Sequence, residues 1–260
     1  MSESVSHRVL GAMRLVDAAA GTQANDSFQV AAPGLKFVRN RIGYYVIYSA
    51  DRPPALRAHA DSFEQPPATP SLASERFAGE IIPAGRLYLP RSFEIALPRD
   101  PDPAHSDQPT SLFRPADVRL YPAATSSVDP GWAVIRATVH GTRAGQQPRP
   151  LGGALIRVLQ TVNNTTTVLA RGMTDWRGRI AGEALVVVPG IPITISGGGN
   201  GAVLAHEIGV TLQVIFDPNA EGLPNPDHLE DNLGTLRTST QAAQLASGRH
   251  LAIRLTVSLD

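Results

Sequence analysis

Trp132-Ala133-Val134-Ile135-Arg136-Ala137-Thr138-Val139-His140 is the stretch on which the fold turns. Trp132, Val134, Arg136 and Thr138 fall on one side of a period of two. Ala133, Ile135, Ala137 and Val139 fall on the other, and that set is wholly apolar. A period of two belongs to a β-strand with one face on a core. The same reading extends outward. Ala154 to Leu159 and Thr166 to Ala170 read as strands, with Asn163-Asn164 as the hairpin turn between them. Ala184–Val188 and Ile191–Ile195 are strands split by Pro189-Gly190. His206 to Phe216 alternates through Ile208, Val210, Leu212 and Val214, and Leu251 to Leu259 alternates to the chain's end. Strands at short intervals, Gly and Pro turns and no long amphipathic helix predict an all-β sandwich.

One phrase, a polar turn followed by Gly and an apolar-rich strand, occurs twice: at Asn40-Arg41-Ile42-Gly43-Tyr44-Tyr45-Val46-Ile47 and at Thr174-Asp175-Trp176-Arg177-Gly178-Arg179-Ile180. It predicts two β-sandwich modules. In the first half, strands are expected within Val9 to Asp17, at Phe28 to Ala31, Leu35 to Arg39 and Gly43 to Ser49, then at Phe77 to Ile82 and Phe93 to Leu97. Gly43 to Ser49 is apolar on both faces, as an interior strand is. The expected organisation is a flexible arm over 1–8, a first sandwich domain over 9–98, a Pro-rich connector over 99–131 and a second sandwich over 132–260. Pro98 to Pro109 carries the clearest linker composition. Residues 50–75, with Pro53-Pro54, Pro66-Pro67 and Pro70, read as a long surface loop without helix. Pro224 to Leu233 reads as a short helix with Asp227 as N-cap and Glu230 three residues on. Thr238 to Ser247 reads as a further short turn of helix or a loop.

The 260 residues carry 23 basic and 23 acidic side chains, with a pI near 7.1. That balance provides no basic footprint for nucleic acid. Lys36 is the single lysine, so positive charge is almost all arginine. The absence of cysteine excludes disulfide frameworks, thiolate metal sites and thiol nucleophiles, and leans toward assembly in a reducing cytoplasm. Arg8, Arg14 and Asp17 interrupt any apolar leader segment, and no run approaches a membrane span.

Residue types capable of chemistry fail their motifs. Gly197-Gly198-Gly199-Asn200-Gly201 lacks the Lys-Ser/Thr ending of a phosphate loop, so a hairpin loop is expected. His206-Glu207 lacks the second His of a zinc helix, since position 210 is Val. Asp227, His228, Glu230 and Asp231 are the densest set of potential metal ligands, but helix capping explains their spacing. No Gly-x-Ser-x-Gly elbow exists. Trp132 and Trp176 are read as core or lid anchors in preference to a sugar-stacking platform. The sequons at Asn163 and Asn164 are read as chance. No catalytic, cofactor-binding or metal residue is assigned, and no cofactor is expected.

Arg136 to Val139, Leu151-Gly152-Gly153-Ala154 and Thr174 to Arg179 resemble the carboxypeptidase-regulatory, transthyretin-like group of Ig-like sandwiches, whose grammar runs G-x-V, L-x-G-A-x-V, T-D-x-x-G. The resemblance covers residues 132–188. Ala137 stands where Gly is frequent, and Trp176-Arg177 separates Asp from Gly. The resemblance implies a sandwich fold and no particular activity. The order of segments is also similar to that of accessory proteins of phage-tail-like contractile injection particles. The order runs from Leu15-Val16-Asp17 through Arg39 to Val46, Phe93 to Pro98, Tyr121-Pro122 and Pro130 to Ala137, and ends at Ser247-Gly248-Arg249 before the last strand. That similarity implies a non-enzymatic structural or adaptor subunit near the cap or baseplate, in ring-like multiple copies. Its partners would be other protein subunits, without nucleic acid or membrane insertion. It would assemble in the cytoplasm and leave as part of an extracellular particle. The alternatives are a carbohydrate-binding or adhesion module, expected to show an exposed aromatic platform, and a β-sandwich hydrolase, expected to gather His206, Asp227 or His228 in a pocket.

Overall fold

The structure, a computed structural model, describes residues 9–61, 72–128, 130–178, 181–191, 193–195, 203–205 and 207–260. The 1–8 arm, Pro66-Pro67, Pro70, Arg179-Ile180, the Gly197–Gly201 loop and His206 lie outside the described residues. The fold is all-β, built of paired sheets, with two short α-helices among the described residues.

The chain forms two compact units, and they do not follow one another along the sequence. The first comprises the chain to Val16, Gln23–Ala84 and Pro90–Arg119. The second comprises Asp17–Thr22, Gly85–Leu89 and Leu120–Asp260. The stretch 99–131, expected as a connector, is therefore divided between two folded bodies.

The first unit holds β1 (Gly11–Asp17), β2 (Phe28–Ala31), β3 (Leu35–Arg39), β4 (Tyr45–Ala50), α1 (Pro54–Asp61), β5 (Glu75–Pro83), β6 (Arg91–Leu97) and β7 (Ala116–Leu120). One sheet has the order β3-β4-β1-β7 and the other β2-β5-β6. As its two-sided apolar pattern predicts, β4 is interior; Tyr45 and Ile47 are buried, and Val46 and Tyr48 half-buried. Wholly buried Arg91 donates Nε to the Ser92 carbonyl (2.9 Å) and Nη1 to the Arg119 carbonyl (2.8 Å), tying β6 to β7.

The helix α1 corrects the reading of 50–75 as loop. Pro54 occupies its first position, where no N–H is required and the fixed φ suits a helix. Leu56 and Ala60, four residues apart, bury one face.

The second unit holds β8 (Ala133–Thr142), β9 (Arg149–Pro150), β10 (Leu155–Val162), β11 (Thr165–Met173), β12 (Glu183–Val188), β13 (Ile193–Ile195), β14 (Val203–Ala205), β15 (Glu207–Phe216), α2 (Pro226–Asp231), β16 (Arg237–Ala246) and β17 (His250–Ser258). Its sheets have the orders β11-β10-β15-β16 and β12-β8-β17, with β13-β14 as a separate ribbon. Between the sheets lie Ala133, Ile135, Ala137 and Val139 with Ile156, Val158, Val186, Leu212, Val214, Leu255 and Val257. The apolar set of the opening stretch is thus the core face of β8. Asn163 (φ 49°) and Asn164 (φ 62°) form the hairpin between β10 and β11. Two positive φ values define the primed turn that matches strand twist.

Two readings are corrected in this unit. Thr238 to Ser247 is neither helix nor loop, because Arg237–Ala246 forms strand β16. The N-cap of α2 is Asn225, not Asp227. Its side chain accepts from the His228 N–H, and Pro226 follows at the first helical position.

Candidate functional site

The Thr174–Gly178 phrase is a structural lock. Thr174 Oγ1 donates to the Leu151 carbonyl (2.7 Å) and accepts from the Ala154 N–H (2.8 Å). Asp175 is wholly buried. It accepts from the backbone N–H of Arg177 (2.9 Å) and from that residue's Nε (2.9 Å) and Nη2 (2.7 Å). The fork raises the affinity of the Arg177 guanidinium for its proton, chiefly through the hydrogen bond to Asp175. Gly178 takes φ +51°, a left-handed conformation that glycine adopts without steric penalty. At Gly152 a Cβ would sit 2.4 Å from the Trp176 Cα, so glycine is required by close approach. These bonds commit the Thr174 hydroxyl and the Asp175 carboxylate to the fold.

On α2, Glu230 is likewise committed to the fold. Glu230 Oε1 accepts from Arg171 Nε (2.8 Å) and lies 3.6 Å from Arg157 Nε, all three side chains being less than a quarter exposed. This pins α2 to β10 and β11. His228 Nε2 lies 3.9 Å from Asp217 Oδ2, and its Nδ1 meets the Asn232 amide at 3.2 Å. Among the described residues no group of three His, Cys, Asp or Glu side chains is placed to hold a metal. Glu207 pairs with Arg249 Nη1 at 2.7 Å on the surface. Trp132 packs partly buried beside Val134, Leu185 and Val187, and Trp176 partly buried beside Leu155, Met173 and Ile215.

The proline-rich run expected as linker is a closed loop of the first unit. The Asp100 N–H donates to the Thr110 carbonyl (3.0 Å), and the Leu112 N–H donates to the Asp100 carbonyl (2.7 Å). Arg99, nearly buried, donates Nε to the Ser111 carbonyl (2.9 Å) and Nη2 to the Pro109 carbonyl. Burial lowers the pKa of its guanidinium. Within the loop, Asp102 caps the turn Pro103–His105. The His105 imidazole lies 2.7 Å from Asp100 Oδ2. That bond holds the imidazole above the ordinary histidine range. Asp100 is held below the carboxylate range, first by the Asp102 N–H and then by His105. Phe113 stands just beyond the closure, 59% exposed.

In the second unit the feature best placed to meet a partner is the end of the β10–β11 hairpin. β10 pairs with β15 only from Leu155↔Ile215 to Leu159↔Thr211, while its pairing with β11 continues to Val162↔Thr165. The register with β11 shifts between Val158 and Leu159. Gln160, Thr161 and Val162 are therefore held from one side, and Thr161 to Thr167 are exposed. Between Arg157 and Arg171 there is no charged residue. Thr161 Oγ1 and Thr166 Oγ1 are 2.9 Å apart across the ribbon. The turn was legible in sequence; the departure of β10 from β15 was not, because both flanks of the bulge have the same strand composition.

No family model matches the sequence, and no curated protein matches it. Among solved structures the chain is similar to the minor pilin GBS52 of Streptococcus agalactiae, at 9% identity over 95% of each chain with a TM-score of 0.26. A likeness at that score carries no argument about fold or function.

Proposed function

We propose that this chain is a non-enzymatic structural or adaptor subunit that docks on a larger protein assembly. The observation that carries the reading is the uncharged hairpin Gln160–Thr167, whose β10 arm stops pairing with β15 after Leu159 and, among the described residues, keeps one strand partner. A two-stranded ribbon is marginal in water, and a sheet edge without charge is a template for strand addition. The exposed Phe113, next to a loop already closed by Arg99 and Asp100, offers a second preordered contact. Asp175 and Glu230 are committed to fold-holding bonds, which favours scaffolding over chemistry. The segment order described above points to phage-tail-like contractile injection particles as the assembly, with the chain at the cap or baseplate.

The test is to tag the full chain in its native cells and sediment the lysate. Comigration with megadalton particles seen by electron microscopy supports the reading. A chain whose hairpin is shortened to Leu159-Asn163-Asn164-Val168 should fold but leave the particle fraction. Recovery of the unaltered chain only in small species would sink it.

A further inference from the structure

Sheet edges in this chain are mostly protected. β3 carries Lys36 and Arg39, β7 carries Asp117 and Arg119, and β6 carries Glu94. β2 is four residues long. β17 carries His250 and Arg254, and β12 is buried from Ala184 to Val188. Charge, brevity and cover are the devices by which natural sheets avoid pairing with another chain.

β16 has little of this protection, its one charge being Arg237 at the first position. It spans Arg237–Ala246, pairs with β15 without a register break from Phe216↔Arg237 to Glu207↔Ala246, and ends its sheet. Among the described residues no strand pairs with its outer side. Between Arg237 and Arg249 it carries no charged residue and no proline. Thr238, Thr240, Gln241, Ala242 and Gln244 are exposed.

We infer that β16 pairs antiparallel with β16 of a second copy of this chain across a two-fold axis at Ala242. Directly opposed residues in an antiparallel ladder must both point their backbone groups into it or both away, so the axis has to pass through a residue and not between two. With Ala242 on the axis, Ala242 faces its own copy, Thr240 faces Gln244, Thr238 faces Ala246 and Gln241 faces Ala243. No charge opposes a charge. The axis is bordered by small side chains, and Thr240 and Gln244 supply hydrogen-bonding partners on one face. Arg237 falls opposite Ser247 at each end. The strand is thus complementary to itself, as an isologous interface requires. Pairing of this kind needs no assembly partner.

The experiment uses the full chain alone, as purified recombinant protein, so that its failure is separate from failure to join a particle. Light scattering over a wide concentration range should show a dimer. Ala242→Lys places two ammonium groups face to face and should raise the dimer Kd by roughly tenfold or more, whereas Val38→Lys on β3 should leave it unchanged. Because the chain has no cysteine, Ala242→Cys introduces a unique thiol that should cross-link quantitatively on mild oxidation, with Val38→Cys as the slow control. A monomer at every concentration would overturn the inference. So would a dimer indifferent to Ala242→Lys, or cross-linking through Ala242→Cys no faster than through Val38→Cys. A ladder of higher species that survives Ala242→Lys would assign the contact to another edge and overturn it equally.

Discussion

The buried carboxylate of Asp175 grips Arg177, two residues on, by one backbone and two guanidinium hydrogen bonds. The grip closes the turn that leads from β11 toward β12, and it does so in the second unit's own interior: the Asp175 N–H also donates to the Glu183 carbonyl at 2.7 Å. Asp175→Ala should therefore lower stability by about 2–3 kcal/mol, the scale of charge-assisted hydrogen bonds lost at a buried site. Urea unfolding measures it. A loss below half a kilocalorie would show that the turn is held by its backbone alone.

Glu230 is expected to behave as the pin of α2. Glu230→Gln keeps the shape but leaves Arg157 and Arg171 facing a neutral group, at a cost of roughly 2–3 kcal/mol for these mostly buried partners. Arg171→Met in the same background should recover part of the loss in a double-mutant cycle. Full additivity of the two changes would contradict the contact.

The Asp100–His105 pair sets a pH window for the 99–112 loop. Asp100 has a depressed pKa in the folded chain, so its contribution is present above the ordinary carboxylate range and is lost as pH falls through the depressed value. His105 has a raised pKa, so its contribution is complete below the ordinary imidazole range and is lost as pH rises through the raised value. The pair is strongest between the two. Titration of the His105 ring protons by NMR should give a midpoint above that of an unperturbed histidine, and Asp100→Asn should bring it down. An unchanged midpoint in that variant would dismiss the pairing.

At the β10–β11 turn, Asn164 adopts φ 62°. Glycine tolerates that region without steric penalty, so Asn164→Gly should raise stability by a few tenths of a kilocalorie to about 1 kcal/mol. Asn164→Val should lower it by about 1–2 kcal/mol, since β-branching makes a left-handed conformation worse. Thermal unfolding separates the two signs.

The parts of the fold legible in sequence are those where burial writes a pattern. Ala133, Ile135, Ala137 and Val139 alternate because each fills the space between two sheets, and Asn163-Asn164 marks its turn because few residues accept two positive φ values. Strand β16 escaped because Thr, Ser, Gln and Ala at an edge bury little and so obey no period. The 99–112 loop was read as linker because its prolines set local backbone angles, whereas its closure depends on Arg99 reaching the carbonyls of Pro109 and Ser111, ten or more residues away. The helix α1 was missed because proline breaks helices everywhere except at their start. For the candidate site, the acidic cluster near Asp227 was visible, but the arginines that occupy Glu230 come from β10 and β11, a partnership that no local spacing records.

The pairing of β8 with β17 is parallel and runs unbroken from His250↔Val134 to Ser258↔Thr142. Parallel neighbours begin at the same end, so the chain enters β8 at one end of this ladder and leaves β17 at the other. A pull between the segment before Ala133 and the chain's last residues would load every rung in shear simultaneously, instead of peeling them one by one.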